Sequence, residues 1–551
     1  MSTPGADAVL PVAIGPAAPA CAPPVGQDGG GLRPSRARLQ LGGRGRVAGP
    51  SLAAGALVAL SLPPWGWWPL AVAGAALLYW RLAGQPLRTR LFVGWLAGLG
   101  CYVPGLFWAT SFNWYGGGVL MAVEALAMAA AAALVPARHG RLAAFAGAST
   151  LLEAVRTTWP FGGLPLGGVF LGQAQGPLLA DARLGGPLLV TLALWGLGGA
   201  AGELAMAVGS ARHGWGRPSA RQALVGGAAA AVVVAVAALA AVAPAGGPPV
   251  AHVTVAAVQG GGRRGVSQAQ VDPATVFAAQ LEATGLVPRS PNGAGPSLVV
   301  WPEDVVSVDG SLSGSTAART LSALARDLRT TLVAGVTVTI PRRRFLNEAV
   351  AWGPDGRVVG TYEKVHRVPF GEYVPYRSLF AHLATLSSVP RDAVPGHGTG
   401  LLRTPAGPLG LMISYEVFFA TRGRSAVRAG ARLLVVPTNT SSYATSQVPS
   451  QEVAADRVQA VAEGRDLVQA APTGYSTIVH PDGTVVRRSG LGTQQVVTAT
   501  VALRDGATVY ARTGDGPVLV LAAALAAGGL FAAADRRRRA RPVRRAASPH
   551  S

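Results

Sequence analysis

The chain has 551 residues, half of them hydrophobic and only 13% charged, and its mean hydropathy is +0.35. That balance is too apolar for an ordinary soluble protein and points to membrane segments in a chain long enough for more than one domain. The net charge of +21 comes without a nucleic-acid-binding motif, and much of the Arg flanks apolar runs, so no nucleic-acid partner is expected.

Residues 1–45 read as a disordered, basic, Pro/Gly-rich tail. Cys21 follows Ala-Pro-Ala, which resembles a lipid-attachment site, but no useful apolar stretch precedes it. Residues 46–243 read as a membrane domain with seven apolar runs, at about 47–62, 66–82, 91–110, 118–136, 141–158, 186–209 and 222–243. The first is short and ends in Pro. Cys101 lies in the third run as a packed residue, and with only two cysteines the chain has no disulfide framework. Glu124 lies in the fourth run. An intramembrane carboxylate is either a functional group or one hydrogen-bonded inside the bundle. Glu153 and Arg156 precede the stretch Trp159 to Pro165, whose Gly and Pro predict irregular backbone at the outer face: either a place for a lipid head group or an ordinary helix end with a loop. Gly196 to Gly199 sits in an apolar helix rather than after a strand, so it is no dinucleotide loop.

An eighth run covers 516–534, followed by a basic tail, 535–551, that opens Asp535-Arg536-Arg537-Arg538-Arg539. Arg is found before run one and after runs two, four, six and eight, whereas the loop 111–117 has no charge. This alternation puts both termini in the cytoplasm and the polar region 244–515 outside.

Residues 251–505 alternate short β-rich runs with helical patterns. Val253–Gln259 reads as a strand, and Asp272 caps a helix to Thr284 with Pro273 at its first position. Ser297 to Glu303 is a strand running into a turn, Thr316–Leu328 a helix, and Thr331–Thr339 a strand. Ala349–Trp352 and Val358–Tyr362 flank Gly353-Pro354-Asp355-Gly356 as a hairpin. Leu409–Ile413, Leu433–Pro437 and Leu467–Ala471 are further strands, and Glu452–Gly464 is helical. Such alternation implies layered α/β packing. Gly260-Gly261-Gly262-Arg263-Arg264 is either a flexible turn or a phosphate contact.

Three polar groups stand at strand ends, where α/β folds build sites: Glu303 after Trp301-Pro302, Lys364 after Tyr362-Glu363, and Ser414 before Tyr415-Glu416. A carboxylate that takes a proton, an ammonium that stabilises an oxyanion and a side-chain nucleophile are what acyl transfer requires. From chemistry alone the same three types also fit solvated surface residues, and nothing local brings them together.

Trp301-Pro302-Glu303, the segment Tyr362 to Pro375 (which contains Val368-Pro369-Phe370-Gly371-Glu372-Tyr373) and Tyr415-Glu416 resemble the nitrilase, or carbon–nitrogen hydrolase, superfamily. Together with seven spans before and one after, residues 47–534 resemble the apolipoprotein N-acyltransferase family. The resemblance implies a multi-span helical membrane bundle carrying an α-β-β-α sandwich in the bacterial inner membrane. It implies transfer of an acyl chain from a phospholipid to the α-amino group of the diacylglyceryl-cysteine of an apolipoprotein, among membrane lipids, with no metal or soluble cofactor. By the same resemblance Glu303 is the general base, Lys364 the oxyanion stabiliser, and residue 414 the acyl carrier. Glu372 and Glu416 are then supporting carboxylates that orient Lys364 and the nucleophile. The chain departs from the pattern at Ser414, where the family has cysteine, and at Ala471-Pro472-Thr473, where the family has Asn before Thr-Gly. Three readings of Ser414 stay open: a slower nucleophile, an impaired domain, or a module that binds lipoproteins or a membrane partner. A membrane-anchored amidase acting on a small soluble substrate is a further alternative, which the eight-span frame disfavours.

Overall fold

The computed structural model describes residues 36–111, 114–212, 220–262, 271–380, 389–443 and 445–539. Cys21, Arg263, Arg264 and the tail beyond 539 lie outside the described residues.

Each of the eight apolar runs carries a helix: Arg36–Ala59, Trp68–Arg81, Leu87–Leu106, Trp114–Leu134, Arg141–Arg156, Ala182–Arg212, Ala220–Val242 and Gly516–Arg539. The first begins inside the stretch read as a disordered tail. Among the described residues, five helical segments are long and apolar enough to cross a membrane: Leu87–Ser111, Trp114–Leu134, Pro177–Val208, Ala220–Val242 and Gly516–Arg536. The helices Trp68–Arg81 and Arg141–Arg156, of 14 and 16 residues, fall below that length. At 1.5 Å per residue they are roughly 21–24 Å long, less than the hydrocarbon thickness of about 30 Å. The helix Ala182–Arg212 breaks at Gly185 and Gly186. Gly186 has φ +64°, and a Cβ there would lie 2.3 Å from the Tyr510 ring, so only glycine fits.

Among the described residues, the region between the helices Ala220–Val242 and Gly516–Arg539 holds fourteen strands. In chain order they are β1 (Pro249–Gln259), β2 (Leu298–Val300), β3 (Val306–Asp309), β4 (Thr331–Ile340), β5 (Arg344–Trp352), β6 (Val358–Glu363), β7 (Asp392–Ala393), β8 (Leu401–Thr404), β9 (Gly407–Leu411), β10 (Leu433–Pro437), β11 (Leu467–Ala470), β12 (Thr477–Val479), β13 (Val485–Arg488) and β14 (Gln495–Arg504). One sheet has the order β14-β1-β2-β4-β5-β6, with β3 on β4 and β7 on β5; the other has the order β13-β12-β11-β10-β9-β8. The central strands β1, β2 and β4 pair in parallel, as do β9, β10 and β11, and β2, β10 and β11 are buried along their whole length.

Side-chain alternation along each strand builds three cores. Val255, Val300 and Val333 of the first sheet meet Leu409, Leu411 and Val435 of the second. On the first sheet's other face, Val299, Trp301 and Leu332 pack on Leu321, Ala325 and Leu328 of the helix Thr316–Leu328. On the second sheet's other face, Leu434 and Val436 pack with Ala455 and Val458 of the helix Val448–Glu463. This last core is continuous with Leu106, Leu178 and Val190 of the bundle. The result is an α-β-β-α sandwich whose second helical layer rests on the membrane helices.

Local signals account for the helix starts. Asp272 accepts from the Ala274 amide at 3.1 Å and Ser315 from the Ala318 amide at 3.0 Å. The helix expected from Glu452 starts at Val448, with Pro449 in its first turn, and ends at Gly464 with φ +63°.

Candidate active site

Glu303 leaves β2 through Trp301-Pro302. Its amide donates to the carbonyl of Thr438, beyond β10 of the other sheet, at 3.3 Å. The Gly335 amide of β4 donates to the Pro302 carbonyl at 3.1 Å. A Cβ on Gly335 would lie 2.4 Å from Glu303 Cα, so glycine lets the two backbones approach. Lys364 follows β6, and its amide donates to the Asn347 carbonyl of β5 at 2.9 Å.

These strand ends bring the side chains together. Lys364 Nζ lies 2.8 Å from Glu303 Oε1 and 2.7 Å from Glu372 Oε1. Asn347 Nδ2 donates to the same two oxygens at 2.8 and 3.1 Å. Glu372 Oε2 accepts from the Val368 amide at 2.8 Å, which closes the loop after Lys364. Lys364 is 2% exposed and Glu303 5% exposed, so solvent screens their charges little. Burial pushes the Glu303 carboxyl up, Lys364 opposes that shift, and the net direction is upward. Burial alone would lower the Lys364 ammonium, but Glu303 and Glu372 outweigh it and hold the group charged, above the ordinary lysine range.

Ser414 follows β9 and opens a 3₁₀ turn, Ser414–Phe418. Its φ is +50°, a left-handed conformation that non-glycine residues seldom adopt and that marks functional turns. Glu416, fully buried, joins this turn to the Lys364 loop. Its Oε2 accepts from the Ile413 amide at 2.8 Å, and its Oε1 from the Val365 and His366 amides at 2.8 and 3.0 Å. Tyr362 OH donates to Glu416 Oε2 at 2.9 Å and accepts from Arg422 Nη2 at 2.7 Å. The His366 ring stacks on Phe419, with centroids 4.4 Å apart. Burial first, and Arg422 second, lower its pKa to about 4, so the imidazole is neutral at pH 7.

The structure thus gathers Glu303, Lys364 and Glu372 in one buried cluster, and Glu416 ties the Ser414 turn to it. Sequence reasoning missed Asn347, which bridges both carboxylates from the middle of β5. Asn347 lies in the polar-mixed stretch of β5, Arg344 to Glu348, which carries no strand period in the sequence. Sequence reasoning also missed Arg422, and Glu452, which accepts from the Thr438 hydroxyl behind Glu303 and whose carboxyl burial raises well above the usual range. Gly261 and Gly262 spend their amides on the carbonyls of Pro472 and Gly492, which removes those donors from any phosphate.

The site faces the bundle. Tyr415 OH donates to the Gly163 carbonyl at 2.8 Å, and Tyr373 OH to the Phe161 carbonyl at 3.2 Å. Gln451 accepts from the Gly167 amide at 2.9 Å and donates to the Gly105 carbonyl at 3.0 Å. Glu124 is ion-paired with Arg156 at 3.1 Å inside the bundle.

Residues 254–510 match the family model for carbon-nitrogen hydrolases, and residues 54–200 that for the apolipoprotein N-acyltransferase N-terminal domain. An apolipoprotein N-acyltransferase of Mycolicibacterium smegmatis is 31% identical over 463 residues, which cover 78% of this chain and 75% of that protein. The chain belongs to the apolipoprotein N-acyltransferase family. A member from Pseudomonas paraeruginosa is 28% identical over 90% of this chain and 96% of its own length. Among solved structures, Nit3 of Saccharomyces cerevisiae, a member of branch 10 of the nitrilase superfamily, aligns over 46% of this chain and 90% of its own with 20% identity and a TM-score of 0.34. Membership makes this chain an integral membrane acyltransferase with a carbon–nitrogen hydrolase domain. It accounts for a nitrilase-type sandwich built onto apolipoprotein N-acyltransferase spans.

Proposed function

We propose that this protein moves an acyl chain from a phospholipid to the α-amino group of the diacylglyceryl-cysteine of an apolipoprotein, and that Ser414 carries the chain between them. The observation that carries this reading is the Glu416 staple. One carboxylate holds the amides of Ile413, Val365 and His366, so the Ser414 turn and the Glu303–Lys364 cluster are fixed as a unit.

Ser414 Oγ attacks the phospholipid acyl carbonyl while Glu303 takes its proton. The Lys364 ammonium stabilises the oxyanion that forms. The ester bond to the lysophospholipid breaks, its oxygen takes the proton from Glu303, and a seryl ester remains. The neutral α-amine of the lipoprotein then attacks that ester, and Glu303 takes the amine's proton. The C–Oγ bond breaks, Ser414 regains the proton, and an amide is formed. Glu372 holds Lys364, and Glu416 holds the turn. The Arg alternation supports a sandwich outside the bacterial inner membrane, with both termini in the cytoplasm.

A second reading, a non-catalytic module that binds lipoproteins or a membrane partner, is favoured by Ser414 itself. A thiol ionises near pH 8.5 and its ester is more activated toward amines, whereas a hydroxyl must lose its proton as it attacks. The test is the mass of the N-terminal peptide of a reporter lipoprotein in cells depleted of their own N-acyltransferase. A third acyl chain is expected with the parent and with Ser414→Cys, and none with Ser414→Ala. Two chains with the parent, shown to be folded in the membrane, would refute transfer by Ser414 and favour the binding module.

A further inference from the structure

The bundle contains a charge cluster that the chemistry above does not use. Arg156 ends the helix Arg141–Arg156 and is 3% exposed. Its Nε and Nη2 grip both oxygens of Glu153, at 3.1 and 2.9 Å, and its Nη1 reaches Glu124 Oε2 on the neighbouring helix at 3.1 Å. The guanidinium does more than pair. Nη1 donates to the carbonyls of Leu164 and Leu166 at 2.5 and 3.1 Å, and the Arg156 carbonyl accepts from the Leu164 amide at 3.0 Å. A planar five-donor group can serve two carboxylates and a strip of carbonyls at once; an ammonium cannot.

The strip held in this way touches the nucleophile turn. Gly163 has φ +88°, and a Cβ there would lie 2.1 Å from the Thr157 carbonyl carbon, so the loop closes tightly on the helix end. The Gly163 carbonyl accepts from Tyr415 OH, and Tyr415 directly follows Ser414. On the far side of the strip the Gly167 amide donates to Gln451. The loop is therefore fixed from the bundle by Arg156 and joined to the sandwich at Tyr415 and Gln451.

We propose that Arg156 is a positioning residue. It holds the 163–166 strip from inside the bundle, and through the Gly163–Tyr415 hydrogen bond it sets the turn that carries Ser414. Glu124 and Glu153 fix the guanidinium in the bundle. This rests on Ser414 being the acyl carrier for its effect on rate, but not for its effect on the turn.

Arg156→Lys keeps the positive charge opposite Glu124 and Glu153 and gives up the fork. Acyl transfer is expected to fall by about 100-fold in kcat with KM for the phospholipid unchanged, the size of loss that a misplacement far from the chemistry produces. Hydrogen exchange of the 414–419 amides should quicken, with β10 unchanged. Tyr415→Phe removes only the link, and the double variant should lose no more kcat than the poorer single variant. Full kcat in Arg156→Lys, additive losses in the double variant, or unchanged exchange at 414–419 would each overturn the proposal. Should Arg156→Lys not fold, Tyr415→Phe with unchanged exchange at 414–419 overturns it, and quickened exchange supports it. The exchange measurement needs no turnover, so an inactive parent would refute the acyl-carrier reading and leave this one decided separately.

Discussion

Replacing Lys364 with Met tests the centre of the site. Methionine nearly matches lysine in length, so the substitution removes the charge and leaves most of the volume. Lys364 Nζ stands 2.8 and 2.7 Å from two carboxylate oxygens. At an effective dielectric near 20 each contact amounts to roughly 6 kcal/mol of gross attraction, part of which offsets desolvation of the buried ammonium. Without the cation, Glu303 and Glu372 share Asn347, with the Val368 amide left to Glu372, and burial drives at least one of them to hold a proton. A protonated Glu303 cannot accept from Ser414, and the oxyanion loses its donor. Loss of such a donor alone lowers kcat by about 100- to 1,000-fold, so the variant should lose at least that much. Leaving a buried charge uncompensated should also destabilise the protein by about 3–5 kcal/mol. The assay is formation of acyl-enzyme from a labelled phospholipid in detergent, followed across pH and paired with thermal unfolding. Transfer within tenfold of the parent, with a normal melt, would refute the role given to Lys364.

Two further predictions probe the frame of the site. In Gly335→Ala the new Cβ would sit 2.4 Å from both Glu303 Cα and the Pro302 carbonyl oxygen, so Glu303 must shift; transfer should fall by about 100-fold, read from the same acyl-enzyme assay. Asp456 is fully buried on the helix Val448–Glu463, accepts from the Thr477 hydroxyl at 2.8 Å, and burial raises its carboxyl to about 8. A folded pKa above the unfolded value of about 3.9 means that the stability is present below pH 4 and is lost as the pH rises toward 8. Asp456→Asn removes that dependence, so its advantage over the parent should grow between pH 4 and pH 7 by about 4 kcal/mol, measured by denaturant unfolding at the two pH values.

The helices of the membrane half were legible because each lies under a run of apolar residues. The break at Gly185-Gly186 lies just before Pro187, at the start of the sixth run, but the close approach of the Tyr510 ring to Gly186 depends on the tertiary fold. The strands β2, β4, β10 and β11 were legible as short apolar runs bounded by turns. The hairpin of β5 and β6 was underestimated: residues 344–348 extend β5 and carry Asn347 into the site, and their mixed polarity gave no strand period. Glu303, Lys364, Glu372 and Glu416 were named from motif resemblance, because only the fold brings them together. Arg156 was seen as half of a local charged pair. Its contacts with Glu124 and with the 164–166 carbonyls depend on helix packing, which sequence spacing does not encode.

The same packing bears on whether the sandwich acts on a small water-soluble amide. An isolated domain of residues 251–505 would uncover the face where Val436, Ala455, Val458 and Val461 meet Leu106, Leu178, Leu179 and Val190. Only Val436, Ala455, Val458 and Val461 of these belong to the isolated domain; a valine side chain gains about 1.5–3 kcal/mol when fully buried, so uncovering this face would take a large part of the roughly 5–15 kcal/mol margin of a typical domain. The Gly163 and Gly105 carbonyls would lose their donors Tyr415 and Gln451 as well. An enzyme for soluble amides has no use for a Ser414 turn hydrogen-bonded to a loop of the membrane domain. An enzyme whose acyl donor and acceptor both lie in the bilayer does, because its reacting carbonyl must be met at the membrane surface and shielded from water.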